Sequence, residues 1–399
     1  MSDDNNRTLM FLGAALRGTL AGLALALMFA AGFLVRDLVG APTVRAQGEY
    51  PVLNEVVGLL SQHYVRPLPD AKALEYGAIR GMIGVLNDPH TFFIDPPVAQ
   101  NESDALAGEY GGIGVELQRD SVGDYVLYPY PDGPAIAAGI EDGDRLLAVD
   151  GASITSDMPQ DEVQRLLRGD VGKRISVTVQ HRDGATETFE IELALIEVPS
   201  VLWSTVTEEP SFGYIRLLRF TSRTPEELEQ ALTELIEEQG VVALILDVRH
   251  NSGGLLQEAI DVASQFLDGG VVLYEEKRDT DREPKEASAG GLALDTPMVV
   301  LVDGGSASAA ELVAGALQDR GRAILIGQKT YGKGSVQWIF KLSDGSSLHV
   351  TVAEWFTPSG AMLDGVGLTP DIEMIHAPDF DAELGEAIRY LREQVGVPQ

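Results

Sequence analysis

Residues 241–248 read VVALILDV, and residues 298–305 read MVVLVDGG. Runs this apolar suit a strand covered on both faces, the condition of a parallel sheet flanked by helices. Each run ends in a glycine turn, RHNSGG after the first and GGSASAAE (304–311) after the second. Each turn leads into helical patterning, from about 255 to 267 and from 309 to 318. A third apolar run, AILIG, follows at 323–327. Strand, glycine turn and helix in succession specify an α/β region with a mainly parallel sheet. Ligands of such sheets bind at the carboxyl ends of the strands, where both glycine turns lie.

The preceding segments have a different grammar. VLNEVVGLLSQHYV and ALEYGAIRGMIGVL, within 50–93, are helical, and the proline of LNDPHTFF ends the second. Residues 105–195 read as short β-rich segments bounded by Gly/Asp turns, with one helix at about 159–168 that ends at Gly169. In TPEELEQALTELIEEQ, Thr224 is expected as helix cap, Pro225 at the first position and Glu227 as the partner completing a capping box. Residues 275–291 carry mixed charge and are expected to form an exposed loop. Residues 380–396 are expected to form an amphipathic helix.

The amino terminus differs in kind. Residues 18–35, GTLAGLALALMFAAGFLV, are uncharged and follow Arg7 and Arg17. As a helix this stretch spans about 27 Å, near the thickness of a bilayer's hydrocarbon core. Val44 and Ala46 fit the small-residue pattern of a signal cleavage site. We read the stretch as a retained anchor with the amino terminus inside; a cleaved signal is the alternative, and both export the rest of the chain. Cysteine is absent, which excludes disulfides, thiol nucleophiles and Cys-based metal sites. The six histidines show no ligand spacing. A net charge of −32 argues against nucleic acid and anionic membrane surfaces as electrostatic partners.

Ser308 with Glu311 spells S-x-x-E, a capping box for the helix that follows. A second reading is chemical. A serine at a helix start just past a buried strand shares its space with the free N–H groups of the first turn, and such donors stabilise an oxyanion. Ala307 and Ala309 leave room for a peptide backbone. No histidine is placed as a base. In KTYGKGSVQ (329–337) Lys333 stands between Gly332 and Gly334, whereas Lys329, the competing base, lacks the glycine flanks. A lysine base must be neutral, which requires burial. Ser–Lys pairs are a variant of the triad logic.

DPHTFF, GGIGVEL, DGPAIAAGIEDGDRLLAVDG, LILDVRHNSGG, GGSASAAELVAGALQDR, TYGKGSVQ, EWFTPSG and GVGLTPDI occur in this order over about 50–375. Together they resemble the carboxyl-terminal processing peptidases, or tail-specific proteases. The resemblance implies a serine endopeptidase with a crotonase-like α/β core and an inserted, mainly β PDZ-like domain. It divides the chain into a signal or anchor (1–46), a helical region (47–104), the PDZ-like domain (105–195), the peptidase core (196–376) and a terminal helix (377–399). Matched motif by motif, it implies Ser308, rather than Ser306, as nucleophile and Lys333 as general base. It implies Gln337 as the group orienting the base, and the backbone N–H groups of Gly253 or Gly254 and of Ala309 as oxyanion donors. An extended strand would set Gln337 about 13 Å from Lys333, so a bend at Gly334 is expected. Gly112, Ile113, Gly114 and Val115 match the loop that holds a peptide carboxylate, and Arg168 matches a position linked to peptide sensing. The expected partners are proteins with exposed carboxyl termini, the membrane through the amino-terminal segment, and a second copy of the chain. No metal or organic cofactor is implied. Two departures stand out: Ser252 replaces a common proline in RHNSGG, and Ala310 replaces a frequent serine. The first supports the rival reading, a catalytically inactive adaptor that only binds peptide tails. A small-molecule acyl-CoA enzyme on the same core is disfavoured by the inserted domain and the lysine motif.

Overall fold

The computed structural model describes residues 50–375 and 380–396. The uncharged stretch at 18–35 and the cleavage pattern at 44–46 lie outside them. Among the described residues no helix is long and apolar enough to cross a membrane. The chain forms two units, one ending at Glu75 and one spanning Tyr76–Gln399. In the first, α1 (Pro51–His63) buries none of its residues, and Val52, Leu53, Val56 and Leu60 are exposed. The chain then enters α2 (Ala71–Gly84), where the Asp70 carboxylate accepts from the Ala73 N–H at 2.7 Å.

The second unit takes in α2 from Tyr76 onward and continues with β1 (Phe92–Ile94), α3 (Pro96–Ala107) and β2 (Glu109–Gly112). The β-rich region follows: β3 (Val115–Arg119), β4 (Tyr125–Pro129), α4 (Pro134–Ala138), β5 (Asp144–Val149), β6 (Ala152–Ser153), α5 (Gln160–Leu166), β7 (Arg174–Gln180), β8 (Thr186–Glu192) and β9 (Ala194–Glu197). Strands β3-β4-β5-β7-β8 form an antiparallel sheet in that order. The period-2 pattern of RISVTVQ explains its inner face: Ile175, Val177 and Val179 are buried and their neighbours are not. Val163 and Leu167 pack on the same core. Strands β2 and β9 pair antiparallel, so the chain enters and leaves this region side by side.

The remaining elements are β10 (Val201–Val206), β11 (Glu209–Leu217), α6 (Thr224–Leu232), β12 (Ala243–Asp247), α7 (Leu256–Ser264), β13 (Val271–Lys277), β14 (Glu283–Glu286), β15 (Met298–Val302), α8 (Ala309–Asp319), β16 (Ile324–Gly327), β17 (Ser335–Lys341), β18 (Ser347–Phe356), β19 (Ile372–Glu373) and α9 (Ala382–Val395). One sheet runs β10-β11-β12-β15-β16-β19, parallel from β11 onward. The apolar run of β12 splits by parity. Leu244 and Leu246 join the core under α6, α7 and α8, while Ala243 and Ile245 join Ala387, Ile388 and Leu391 of α9. That division is why the run shows no alternation in sequence.

Three features depart from expectation. The mainly parallel sheet is only half the core: β1, β13, β14, β17 and β18 build a second, antiparallel sheet around the long β18. The 275–291 segment, expected as a loop, contains the end of β13 and all of β14, a hairpin whose edge strand carries Pro284 and exposed charges. Both are devices suited to an edge strand. Glu227 does not close a capping box. Its carboxylate accepts from Ser200 N–H and Oγ (both 2.7 Å) and from Val201 N–H, tying α6 to the start of β10.

Candidate active site

The RHNSGG turn leaves the carboxyl end of β12 and meets the start of α8. Asn251 is fully buried and fixes it. Its Nδ2 donates to Leu217 O (2.8 Å), its Oδ1 accepts from Gly253 N–H (2.9 Å), and its carbonyl accepts from Ala307 N–H (2.9 Å). Gly253 has φ +99°, and a side chain there would come within 2.8 Å of Ser308 Cβ and 3.0 Å of Ala309 N. Gly254 forms a bridge with Phe220, and a Cβ on it would lie 2.0 Å from Phe220 O. Only glycine allows this approach. The Gly253 N–H is therefore committed to Asn251. Neither Gly254 N–H nor Ala309 N–H donates to a protein group among the described residues.

Ser308 has φ +54° and ψ −117°. An L-residue reaches this conformation only under constraint, and such strain clusters at functional sites. Ser306 is different. It is fully buried, its hydroxyl donates to Val248 O (2.8 Å), and it accepts from Asp303 N–H (3.0 Å).

The second half of the capping box does far more than cap. Glu311, at 0% exposure, accepts from Ser308 N–H (3.0 Å) and Lys333 N–H (2.8 Å) on one oxygen. Its other oxygen accepts from Gly332 N–H (2.7 Å) and Thr330 Oγ1. One carboxylate thus joins the serine turn to the lysine segment. The sequence marks Glu311 as a cap but carries no signal for its other three donors, which lie about twenty residues further along the chain. Asn251 was likewise unmarked, although its turn was singled out.

The glycines beside Lys333 are required by a close backbone neighbour. A Cβ on Gly332 would lie 2.8 Å from Gly367 N, and one on Gly334 would lie 2.5 Å from Asp364 N. Lys333 and Ser308 line one cavity of about 490 Å³, together with Gly254, Ala309 and Gln337. Burial pushes the Lys333 ammonium below the ordinary lysine value, and the Glu102 carboxylate works against that shift. Lys329 is exposed and outside the cavity. Gln337 donates through Nε2 to Ser335 Oγ (2.7 Å), not to Lys333. The irregularity in β17 falls between Val336 and Gln337 rather than at Gly334.

A second cavity, of about 210 Å³, lies between β3 and α5 and is lined by Ile113, Gly114, Val115 and Arg168. Gly114 has φ +71°, and Ala135 N–H donates to Ile113 O (2.8 Å), so the loop is fixed by α4. Gly112 forms a bridge with Arg168. The Arg168 side chain is held from the α3 side: it pairs with Asp104 (3.2 Å) and lies 3.9 Å over the Tyr110 ring. It is not the solvated helix-end arginine that a dipole argument alone would give.

Comparison with known proteins gives consistent matches. Residues 211–374 match peptidase family S41, and residues 125–181 match the PDZ domain. A carboxy-terminal-processing protease of Bartonella bacilliformis is 36% identical over 332 residues, covering 80% of this chain and 75% of that protein. A carboxyl-terminal-processing protease of Synechocystis is 37% identical over 328 residues, with coverage of 80% and 75%. Among solved structures, a photosystem II D1 C-terminal processing protease is 32% identical, with coverage of 84% and 90% and a TM-score of 0.48.

Proposed function

Because the chain belongs to peptidase family S41 and is a serine-type carboxyl-terminal-processing protease, we propose that Ser308 is its nucleophile and Lys333 its general base. The observation that carries this is the strained Ser308 backbone at the wall of the cavity that also holds the half-buried Lys333. Neutral Lys333 Nζ takes the proton from Ser308 Oγ as that oxygen bonds to the scissile carbonyl carbon. Of the expected oxyanion donors, Gly254 N–H and Ala309 N–H serve, since Gly253 N–H is taken by Asn251. The tetrahedral intermediate collapses, the peptide nitrogen leaves with the proton from Lys333, and water then releases the acyl-enzyme. Gln337, whose Nε2 is bonded to Ser335 Oγ, is kept as the proposed group orienting the base. No cofactor enters this scheme.

The 210 Å³ groove is the proposed receptor for the substrate's carboxyl terminus, through the backbone of residues 112–115 with Arg168 at its end. Residues 18–35 would hold the enzyme at a membrane with the rest of the chain outside the cytoplasm, and α1 offers an apolar surface to a second copy. The test compares one unfolded reporter carrying a free or an amidated carboxyl terminus. Cleavage of the free form at least several-fold faster is expected. Equal rates would remove the tail-recognition reading, and no cleavage of either would favour the inactive adaptor. Asn251, which fixes the RHNSGG turn despite the missing proline, speaks against that rival.

The pH dependence has a definite sign. The base works only when deprotonated, so kcat/KM should rise with pH through a value below the ordinary lysine pKa of about 10.4. Glu102 favours the charged ammonium, so Glu102→Gln should move that acid limb to lower pH. A pH profile on an uncharged peptide checks this, and a limb that stays or moves up would contradict it.

A further inference from the structure

We propose that Arg219 makes this protease selective for substrates that present a carboxylate close to the scissile bond. The inference rests on the Ser308 cavity being the catalytic cleft and goes beyond it by naming what the substrate must carry. Arg219 lines that cavity beside Ser252, Gly254 and Leu255. Its place is fixed by the backbone on both sides. Phe220 N–H donates to Gly253 O (3.1 Å), Leu255 N–H donates to Phe220 O (2.9 Å), and Arg219 O accepts from Thr224 Oγ1 (3.1 Å). The residue therefore adjoins the very turn that supplies an oxyanion donor.

The guanidinium has no counter-ion among the described residues, and its Nε is buried without a hydrogen-bond partner. This chain carries 61 acidic residues against 29 basic ones, yet none of the described carboxylates pairs with this cavity-lining arginine. Arg249 is paired with Asp247 and Asp381 and Arg168 with Asp104; Arg216 also has a buried Nε without a partner, but it does not line the cavity. An unsatisfied buried donor is costly, and an acceptor arriving with the substrate would recover that cost. The remaining ionisable groups at the cavity wall cannot serve in its place. Glu102 and His349 face each other at 2.8 Å, and Lys333 must be uncharged to act as base. The Arg219 guanidinium offers a planar fork of donors matched to a carboxylate. The net charge of −32 repels acidic peptides at long range, but at physiological ionic strength that field is screened beyond about 8 Å, so the contact in the cleft decides.

The carboxylate has two sources, a Glu or Asp side chain near the cut or the α-carboxylate of a chain ending inside the cleft. The experiment uses an uncharged peptide that the enzyme cuts. Glu or Gln is placed in turn at each of the four residues on either side of the bond, and a separate arm varies a free against an amidated terminus just beyond it. At one position, or in the free-terminus arm, the acidic form should exceed the neutral one by roughly 10-fold in kcat/KM. The ratio should fall to about 1 in Arg219→Met, be partly retained in Arg219→Lys, and shrink with added salt. Equal rates for acidic and neutral forms throughout, or a preference that survives Arg219→Met, would overturn the proposal. Cleavage of the uncharged peptide reads the peptidase assignment separately. Binding of the same peptides to the Ser308→Ala protein reads the preference without any turnover, so the two ideas fail independently.

Discussion

Ser308→Ala is expected to lower kcat by about 10⁴-fold or more, because loss of a nucleophile leaves only binding and the oxyanion donors to act. The fold should tolerate the change. Alanine at φ +54° carries the same backbone strain as serine, and it gives up only the capping-box bond that the Ser308 side chain accepts from the Glu311 N–H. Ser308→Gly separates chemistry from strain. Glycine adopts positive φ freely, so this variant should be equally inactive yet more stable than Ser308→Ala by about 1 kcal/mol in chemical denaturation. Retained turnover in either variant would end the assignment of Ser308. A Ser308→Gly protein no more stable than the alanine variant would show that the turn stores no strain.

Glu311→Gln should be the most damaging change at a residue that touches no substrate. The carboxylate serves four donors, two per oxygen. An amide keeps one acceptor and turns an NH₂ group toward two N–H or O–H donors. Leaving buried donors unpaired costs about 1–3 kcal/mol each, so a loss of roughly 2–5 kcal/mol in stability is expected. The lost bonds also determine how Ser308 and Lys333 stand relative to one another. Displacement of about 1 Å at such a site is worth roughly 10²-fold in rate, so kcat should fall by that order while KM changes little. Wild-type kcat in Glu311→Gln would show that the serine and lysine segments hold their geometry without it.

Ser308 and Lys333, the proposed nucleophile and base, stand out in the sequence because each sits in a short motif with a local physical meaning: a helix start after a buried strand, and a lysine between two glycines. The groups around them were not. Thr330, Gly332 and Lys333 converge on Glu311 only through the fold, and a capping box in sequence predicts none of those bonds, only the one from Ser308 N–H. Glu227 shows the opposite outcome, since the same local motif was overridden when the amino end of β10 came within reach. Gln337 was placed by resemblance, and its present partner, Ser335, follows from a bulge that strand propensity does not encode. Arg219 has no marking at all in its own segment. Its meaning comes from the residues that are not beside it.

By itself the sequence determined the buried strands of the α/β core, the glycine turns at their carboxyl ends and the inserted β-rich region, and it singled out the serine and the lysine proposed here as nucleophile and base. These are properties of periodicity and backbone conformation, carried by neighbours within a few positions. The tertiary structure alone decided the second antiparallel sheet, the carboxylate that binds serine turn to lysine segment, which glycine N–H remains free, and which unpaired arginine lines the cavity. Those depend on groups separated by tens or hundreds of residues, whose pairing is set by packing and by the cost of leaving buried polar atoms unsatisfied.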